Sequence, residues 1–421
     1  MEPIAHLRLV EKSEPPEYDE QTLKTHNENS GKYAAEALRC IGLDKVGSFC
    51  GNIHDLGKAT KKFFDYIQPG NTLRRGEVNH TFAAVRYIFE LSDGVDNEVR
   101  ELLAYAVGAH HGQFDAVNDD HKNGFEHRLT KDGIDYDEAK KNFNEHCFSD
   151  AELKSQFDGA AEQLTEIIEG IRERNPKRSA QQAEEYEFQI SLLARLLLSA
   201  VIEGDRRDTA EFMENMEFPQ VEADWDECLG HIEEKLGKFS NTRPIDGARK
   251  QISDICRAAA EEEPGIFRLN VPTGAGKTLS GLRFAAAHAK AHRKKRIIFT
   301  SPLLSILDQN AKIIREFIGD DSIITEHHSN VALDEDNADE LRRAQLLTEN
   351  WSSPVIITTL VQLLDTLFAG KTSCIRRMHA LCDSVIVIDE VQTVPNEMLS
   401  LFNTAVNFLS EVCGATIVLC S

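Results

Sequence analysis

Several features that would constrain a chain of this kind are scarce here. Its nine cysteines are scattered without a single CxxC pair, which argues against structural zinc and a disulfide framework and suggests a reduced cytoplasmic protein. No apolar run approaches the roughly 18 residues that a membrane span needs. The longest, 191–202, is interrupted by Arg195 and reads as a buried helix. No segment reads as a cleavable signal, and there is no internal repeat or low-complexity tract. Positive charge is also short: 47 Lys and Arg against 70 Asp and Glu leave a net charge of −23. An acidic chain repels polyanions at long range, but contact with phosphate depends on local patches. The clearest basic run is His292-Arg293-Lys294-Lys295-Arg296, with Lys58, Lys61, Lys62, Arg206 and Arg207 near other features of interest. The simplest reading of 292–296 is a solvated helix end followed by a buried strand.

At 421 residues, with 41% apolar and 28% charged content, the chain has room for two or three domains with cores of their own. Up to about residue 225 the apolar spacing is helical. The best helix candidates are 32–41, 46–66, 81–91, 98–110, 150–174 and 183–203, with an acidic helical stretch over 209–237. Residues 112–148 are polar and read as a long loop or insertion, whose histidines, His121, His127 and His146, are taken as surface residues. Asn241-Thr242-Arg243-Pro244 breaks the pattern and is the expected linker. Beyond it, short apolar strands at 266–271, 296–300, 355–359, 384–388 and 415–420 alternate with amphipathic helices, which predicts a parallel sheet covered on both faces. The expected architecture is therefore multidomain, an all-α domain over 1–240 followed by an α/β domain over 241–421.

Two constellations carry chemistry. In the helical half, His26, His54-Asp55, His80, His110-His111 and Asp205 form an ordered series. A lone histidine in a helical domain is more often a satisfied core or surface residue, so the weight lies in the set. Mixed imidazole and carboxylate donors suit divalent transition metals such as Mn, Fe, Co or Ni better than oxygen-only Mg or Ca sites. Adjacent residues on a helix diverge by roughly 100°, so His54 and Asp55 serve one site if Asp55 bridges two ions. In the second half, a strand runs into Pro272-Thr273-Gly274-Ala275-Gly276-Lys277-Thr278 and then a helix over 279–291. Strand, glycine-rich turn and helix N-terminus form a phosphate loop. Backbone N–H groups of 274–277 would wrap a β-phosphate, Lys277 would reach the β and γ oxygens of ATP, and the Thr278 hydroxyl would bind Mg²⁺. Val271 stands where the general pattern has its first glycine. The strand 384–388 delivers Asp389 and Glu390, the first to hold Mg²⁺ through water and the second to polarise the attacking water.

The histidine–aspartate series resembles the HD metal-dependent phosphohydrolase superfamily, in its nuclease branch with extra histidines. That resemblance implies one ion held by His26, His54, Asp55 and Asp205. Asp55 would bridge to a second ion held by His80, His110 and His111, with Lys58 on the scissile phosphate. Asp389-Glu390-Val391-Gln392 is close to the DEAD/DEAH box of superfamily 2 helicases, with Gln392 coupling hydrolysis to the next strand. The segments from Thr300-Ser301-Pro302-Leu303 to Gln309, and Thr358-Thr359-Leu360-Val361-Gln362, sit where that superfamily contacts nucleic-acid phosphates. No adenine-reading glutamine is evident: Asp246 falls near its place, and Gln251 is a poor substitute.

An HD domain followed by a RecA-like lobe resembles the CRISPR-associated HD nuclease–helicases of type I systems. Residues 271–284, His327-His328-Ser329-Asn330 and 389–395 are most similar to the type I-C branch. The resemblance implies a prokaryotic cytoplasmic enzyme recruited by an RNA-guided surveillance complex (Cascade). It would nick single-stranded DNA in the HD domain and degrade the strand with ATP-driven 3′–5′ translocation. The chain stops at Leu419-Cys420-Ser421, where a Ser-Ala-Thr motif would begin. The expectation is thus an incomplete motor whose second lobe, with its arginine fingers, is absent, and poor hydrolysis and unwinding. Two rivals remain, an HD phosphohydrolase acting on nucleotides and a non-catalytic recruitment module with structural metals.

Overall fold

The computed structural model describes residues 2–10, 16–73, 78, 80–114, 124–129, 135–219, 221–240, 242–328 and 347–421. Compact packing divides the chain into two units, Met1–Phe218 with Gly370–His379, and Pro219–Ala369 with Ala380–Ser421.

The first unit opens with an antiparallel pair, β1 (Ile4–Leu9) and β2 (Tyr18–Thr22), and is otherwise helical: α1 (Leu23–Leu38), α2 (Asp44–Ile53), α3 (Lys61–Ile67), α4 (Thr81–Leu91), α5 (Asn97–Gly108), α6 (Gly124–Leu129), α7 (Tyr136–His146), α8 (Asp150–Arg174) and α9 (Ala180–Glu214). Local chemistry fixes these bounds. Ser149 and Glu152 form a reciprocal capping box before α8, and Arg172 and Arg174 end it where cations complement the helix dipole. Ser179 caps α9, and Asn215 closes it in the left-handed conformation with φ 51°. At the crossing of α1 and α9, a Cβ on Gly204 would sit 2.3 Å from the Ser30 carbonyl oxygen. Only glycine lets the two backbones approach so closely.

Several expectations are corrected here. The first helix begins at Leu23, since Thr22 accepts a hydrogen bond from the Thr25 N–H as its N-cap, so His26 lies within it. The continuous helix expected over 46–66 breaks at His54, passes through a tight turn at Leu56–Lys58 and restarts under a Thr60 cap. The 112–148 stretch contains α6 and α7; His121 lies outside the described residues, as does the side chain of His127, and His146 ends α7 half-buried. The compact helical unit ends at Phe218 rather than near 240. The reason is packing: Cys228, Leu229 and Ile232 of the next helix are buried in the core of the second unit.

That second unit holds α10 (Trp225–Gly237), α11 (Pro244–Ala259), α12 (Lys277–His292), α13 (Leu304–Ile318), α14 (Leu360–Phe368) and α16 (Leu399–Glu411), while the short α15 (Thr372–Ile375) belongs to the first. Its strands are β3 (Ile266–Leu269), β4 (Arg296–Ser301), β5 (Ile324–His327), β6 (Val355–Thr359), β7 (Ser384–Ile388) and β8 (Thr416–Cys420). All pair in parallel in the order β3-β8-β7-β4-β6-β5. All five β7 residues are buried. Since successive strand side chains face opposite ways, both faces of the sheet are covered there, as the near-continuous apolar strands predict. Among the described residues, no helix is long and apolar enough to cross a membrane.

Candidate functional site

The break after α2 is what builds the histidine–aspartate cluster. Once the helix ends, Asp55 adopts φ −105°, ψ 22°, and both neighbours can face one interior point without the divergence a helix imposes. Gly57 follows for a steric reason: a Cβ there would lie 2.0 Å from the His80 carbonyl oxygen. The bare glycine admits the His80 backbone beside the turn.

His26, His54, Asp55 and Asp205 each offer one ligand atom within 4.8 Å of all the others, and so do Asp55, His110 and His111. Asp55 is the shared member. Its Oδ2 lies 3.3 Å from His26 Nε2 and 3.3 Å from His54 Nε2. Its Oδ1 lies 3.7 Å from His110 Nε2 and 3.9 Å from His80 Nε2. Asp205 Oδ1 stands 3.5 Å from His26 Nε2 and 3.8 Å from His54 Nε2. His80 joins the second group by its edge, 2.9 Å from His111 Nε2. All seven sequence candidates are therefore brought together.

His26, His54 and Asp55 are fully buried. His54 gives its Nδ1 to the Gly51 carbonyl at 2.7 Å, and His110 gives its Nδ1 to that of Val107 at 2.6 Å. With the outer nitrogens so used, the inner atoms are left over: His26 Nε2, His54 Nε2 and both Asp55 oxygens lack a hydrogen-bond partner. Such orphans are costly in a buried site, and a coordinated cation is the group that would satisfy nitrogen lone pairs and carboxylate oxygens together. The donor set therefore fits a metal. Lys58 Nζ stands 2.6 Å from Asp55 Oδ2, an ion pair not aligned as a hydrogen bond.

The electrostatics divide the cluster. Burial pulls His26 down, but Asp205, Asp208 and Asp55 together outweigh it and push the imidazole up to about 10. His54, likewise opposed by burial, is pushed up to about 9 by Asp55 and Asp205. Burial lowers His80 to about 4 and, with His110 adding repulsion, His111 to about 3. Against burial, Lys58 and His54 hold the Asp55 carboxyl well below the usual range. His26 and His54 do the same for Asp205.

The phosphate loop lies between β3 and α12. Gly274 and Gly276 take φ 81° and 90°, left-handed values that glycine adopts without strain. They turn the backbone into the uncapped N-terminus of α12, which begins at Lys277. Ala275 donates its N–H to Pro272 and is buried, while Thr273 is exposed on the loop. Lys277 Nζ lies 2.5 Å from Glu390 Oε1 and 3.3 Å from Asp389 Oδ1. These carboxylates follow β7, and Glu390 holds a positive φ of 51°. Gln392 Nε2 donates to Glu390 Oε2 at 2.5 Å. Thr278 Oγ1 donates to Asn310 Oδ1 at 3.1 Å.

Sequence reasoning missed the residues that support both sites. Asn310 on α13 meets Thr278, next to the Gln309 that had been singled out. Arg249 on α11 donates twice to the Gly274 carbonyl, at 2.9 and 2.7 Å. Asp208, Gln21 and Asn29 lie behind His26. The Asp205–Asp208 spacing of one helical turn was the available signal, hidden because the helix was expected to stop at 203. The basic residues are largely used internally. Lys294 is buried against the Gly414 carbonyl and Asp383, so 292–296 is not simply a solvated end. Arg206 donates to Thr372 and Arg207 pairs with Glu211. His327 accepts from the buried Trp351, and His328 meets Glu326 at 3.2 Å; Ser329 and Asn330 lie outside the described residues, as does Asn241.

Comparison with known proteins agrees with this two-part reading. The family model for the Cas3 HD domain matches residues 21–201, and that for DEAD/DEAH box helicases matches residues 253–421. A CRISPR-associated nuclease/helicase Cas3 from Haloferax volcanii is 23% identical over 435 residues, covering 89% of this chain and 45% of the relative. The crystal structure of T. fusca Cas3 with ATP superposes with a TM-score of 0.56 at 19% identity, covering 100% of this chain and 50% of that one. A crystal structure of a CRISPR-associated protein matches with a TM-score of 0.52 at 15% identity, covering 95% of this chain and 50% of that one. At these identities the superpositions speak for the fold, and the chain spans about half the length of the relatives it matches. With a segment that matches the Cas3 HD domain ahead of one that matches DEAD/DEAH box helicases, the chain is a Cas3-like protein in its domain order.

Proposed function

We propose that this chain is a metal-dependent nuclease for single-stranded DNA joined to an ATP-binding helicase lobe. It would act in CRISPR interference in the prokaryotic cytoplasm. The observation that carries the reading is the convergence of buried inner atoms on His26, His54 and Asp55 that make no hydrogen bond, flanked by Asp205, His80, His110 and His111. In this reading His26, His54, Asp55 and Asp205 hold one divalent ion, and Asp55, His80, His110 and His111 a second, from among Mn, Fe, Co and Ni. Bound ions supply Lewis acidity to a phosphodiester oxygen and a water acidic enough to attack at neutral pH. The chain's own groups do the rest. Asp55 ties the two ligand sets together through its two oxygens. Lys58 exchanges Asp55 Oδ2 for the scissile phosphate and so orients it.

In the helicase lobe, the N–H groups at the start of α12 take the β-phosphate of ATP, and Lys277 leaves Glu390 and Asp389 for the β and γ oxygens. Thr278 and Asp389 hold Mg²⁺, and Glu390, freed from Lys277, polarises the attacking water. The relatives' CRISPR-associated names support extending the proposal to recruitment by the RNA-guided surveillance complex (Cascade), nicking of the displaced strand and 3′–5′ translocation. The test is cleavage of circular single-stranded DNA with Mn²⁺, Co²⁺ or Ni²⁺, expected for the unaltered chain and lost in Asp55→Ala. Phosphate release from free nucleotides in place of strand cleavage would instead indicate a nucleotide phosphohydrolase. Absence of both activities would indicate a recruitment module.

A further inference from the structure

Behind the first ligand set lies a carboxylate that the mechanism above does not use. Asp208 sits on α9 one turn beyond Asp205, outside the stretch matched by the HD-domain model, and is 2% exposed. A carboxylate so buried needs donors around it, and three converge. His26 Nδ1 and Gln21 Nε2 reach Oδ2 at 2.5 and 2.8 Å, and Asn29 Nδ2 reaches Oδ1 at 2.7 Å. The Gln21 amide is oriented by this contact. With Nε2 spent on Asp208, its Oε1 faces His6 Nδ1 at 2.8 Å, and the ring of His6 stands edge-on to that of His26 at 4.7 Å. The β1–β2 pair, which sequence reading did not foresee, thus braces the carboxylate that braces His26.

The three buried imidazoles differ in what holds them. His54 and His110 give Nδ1 to the neutral carbonyls of Gly51 and Val107, whereas His26 gives it to the Asp208 carboxylate. A carboxylate in this position fixes ring orientation and strengthens the imidazole as a donor at its other nitrogen. The second set has no such brace among its described contacts, and His80 and His111 are less fully enclosed than His26 and His54. We infer that Asp208 is a positioning residue of the metal centre, holding His26 Nε2 toward Asp55 and Asp205 and making the first ion the tightly held one of the two. The inference rests on the metal-centre reading proposed above.

Titration with Mn²⁺, followed by calorimetry and by electron paramagnetic resonance, separates the two ideas. The unaltered chain is expected to bind two ions with unequal affinity. Asp208→Asn should weaken the tighter by about 10- to 100-fold and leave the weaker unchanged, and Gln21→Leu, which spares the Asp208–His26 contact, should do much less. If the unaltered chain binds no ions in this unit, the metal-centre reading itself fails. If it binds two and Asp208→Asn weakens neither, or both alike, the inference about Asp208 is overturned. Should the variant not fold, the unaltered Zn²⁺-loaded chain still decides. Imidazole nitrogen shifts must place the His26 hydrogen on Nδ1, and a hydrogen on Nε2 would overturn the assignment.

Discussion

In the proposed metal centre, buried imidazoles and carboxylates face one another through atoms that make no hydrogen bond, and Lys58 is the cation paired with Asp55; in the phosphate loop, the charged groups are hydrogen-bonded within the chain. His26 Nε2, His54 Nε2 and both Asp55 oxygens have no hydrogen-bond partner, whereas Lys277 lies against Glu390 and Asp389, and Glu390 is held again by Gln392. The candidate metal ligands also come from far apart in the chain, between His26 and Asp205, while the seven residues of the loop, 272–278, are consecutive. A site assembled from distant helices must be held rigid by its surroundings, and its ligands have little freedom to satisfy one another. A loop at a helix N-terminus can pair its own charges and exchange those partners for a nucleotide. The first arrangement is preorganised for a cation; the second has a resting state to displace.

The sharpest way to break this contrast is to remove the central group of each site and ask whether the other notices. Asp55→Ala removes the one residue shared by both ligand sets and is expected to take strand cleavage to background while nucleotide binding is unchanged. Lys277→Ala removes charge-assisted contacts to phosphate and is expected to weaken nucleotide affinity by about 10- to 100-fold, with metal-dependent cleavage of single-stranded DNA retained. Fluorescent-nucleotide binding and circular-DNA nicking, measured on both variants, give the full cross. Loss of nucleotide binding in Asp55→Ala would show that the two sites are not separate systems.

A subtler change addresses rigidity. Gly57→Ala changes none of the candidate ligand residues but puts a methyl 2.0 Å from the His80 carbonyl oxygen and 2.7 Å from its Cα. The obstructing atoms are backbone, which cannot swing away, so His80 is expected to shift and its contact to His111 at 2.9 Å to open. Overpacking of this kind costs about 3 kcal/mol at the upper end of its range. Denaturant unfolding should register that loss, and Mn²⁺ titration should show the second ion weakened and the first nearly unchanged. Equal stability and equal affinities would mean that the metal centre is more compliant than its packing implies.

How much of this was legible in the sequence follows the same division. The phosphate loop could be read nearly residue by residue, because strand, turn and helix N-terminus are neighbours in the chain and their order is itself the signal. The candidate ligands of the proposed metal centre could be named as a series, but their geometry could not. The turn that frees Asp55 from the helix at 54–58 carries no proline, and its cause, the passage of the His80 backbone over Gly57, is a contact between distant residues. Asp208 and Gln21 were missed for a related reason: one lay past the expected end of its helix, the other on a strand too short and polar to announce itself. Arg249 and Asn310 similarly join the loop from α11 and α13, by contacts that periodicity does not encode.

The smallest expected effect concerns acid, and it falls on the helicase lobe away from the phosphate loop. His288 on α12 is fully buried, with Nδ1 facing the Ala260 carbonyl at 3.0 Å and Nε2 facing the Thr416 hydroxyl at 2.8 Å. A neutral ring satisfies both contacts, donating to the first and accepting from the second. Burial, and then His292 beside it, push its pKa down to about 4. In the unfolded chain the same imidazole titrates near the ordinary value of about 6.5. Above that pH both states are neutral, and the group has no effect. As pH falls from about 6.5 to 4, the unfolded state takes up a proton that the folded state refuses, so stability is lost through that window at about 1.4 kcal/mol per unit. By pH 5 the loss is about 2 kcal/mol. His288→Gln lacks the titrating ring, so the gap in unfolding free energy between it and the unaltered chain should narrow by that amount between pH 7 and pH 5. A gap that stays constant across the two pH values would remove His288 as the source. Nucleotide affinity of the folded lobe, which in the proposed reading depends on Lys277 and its carboxylates, should stay level over the same range.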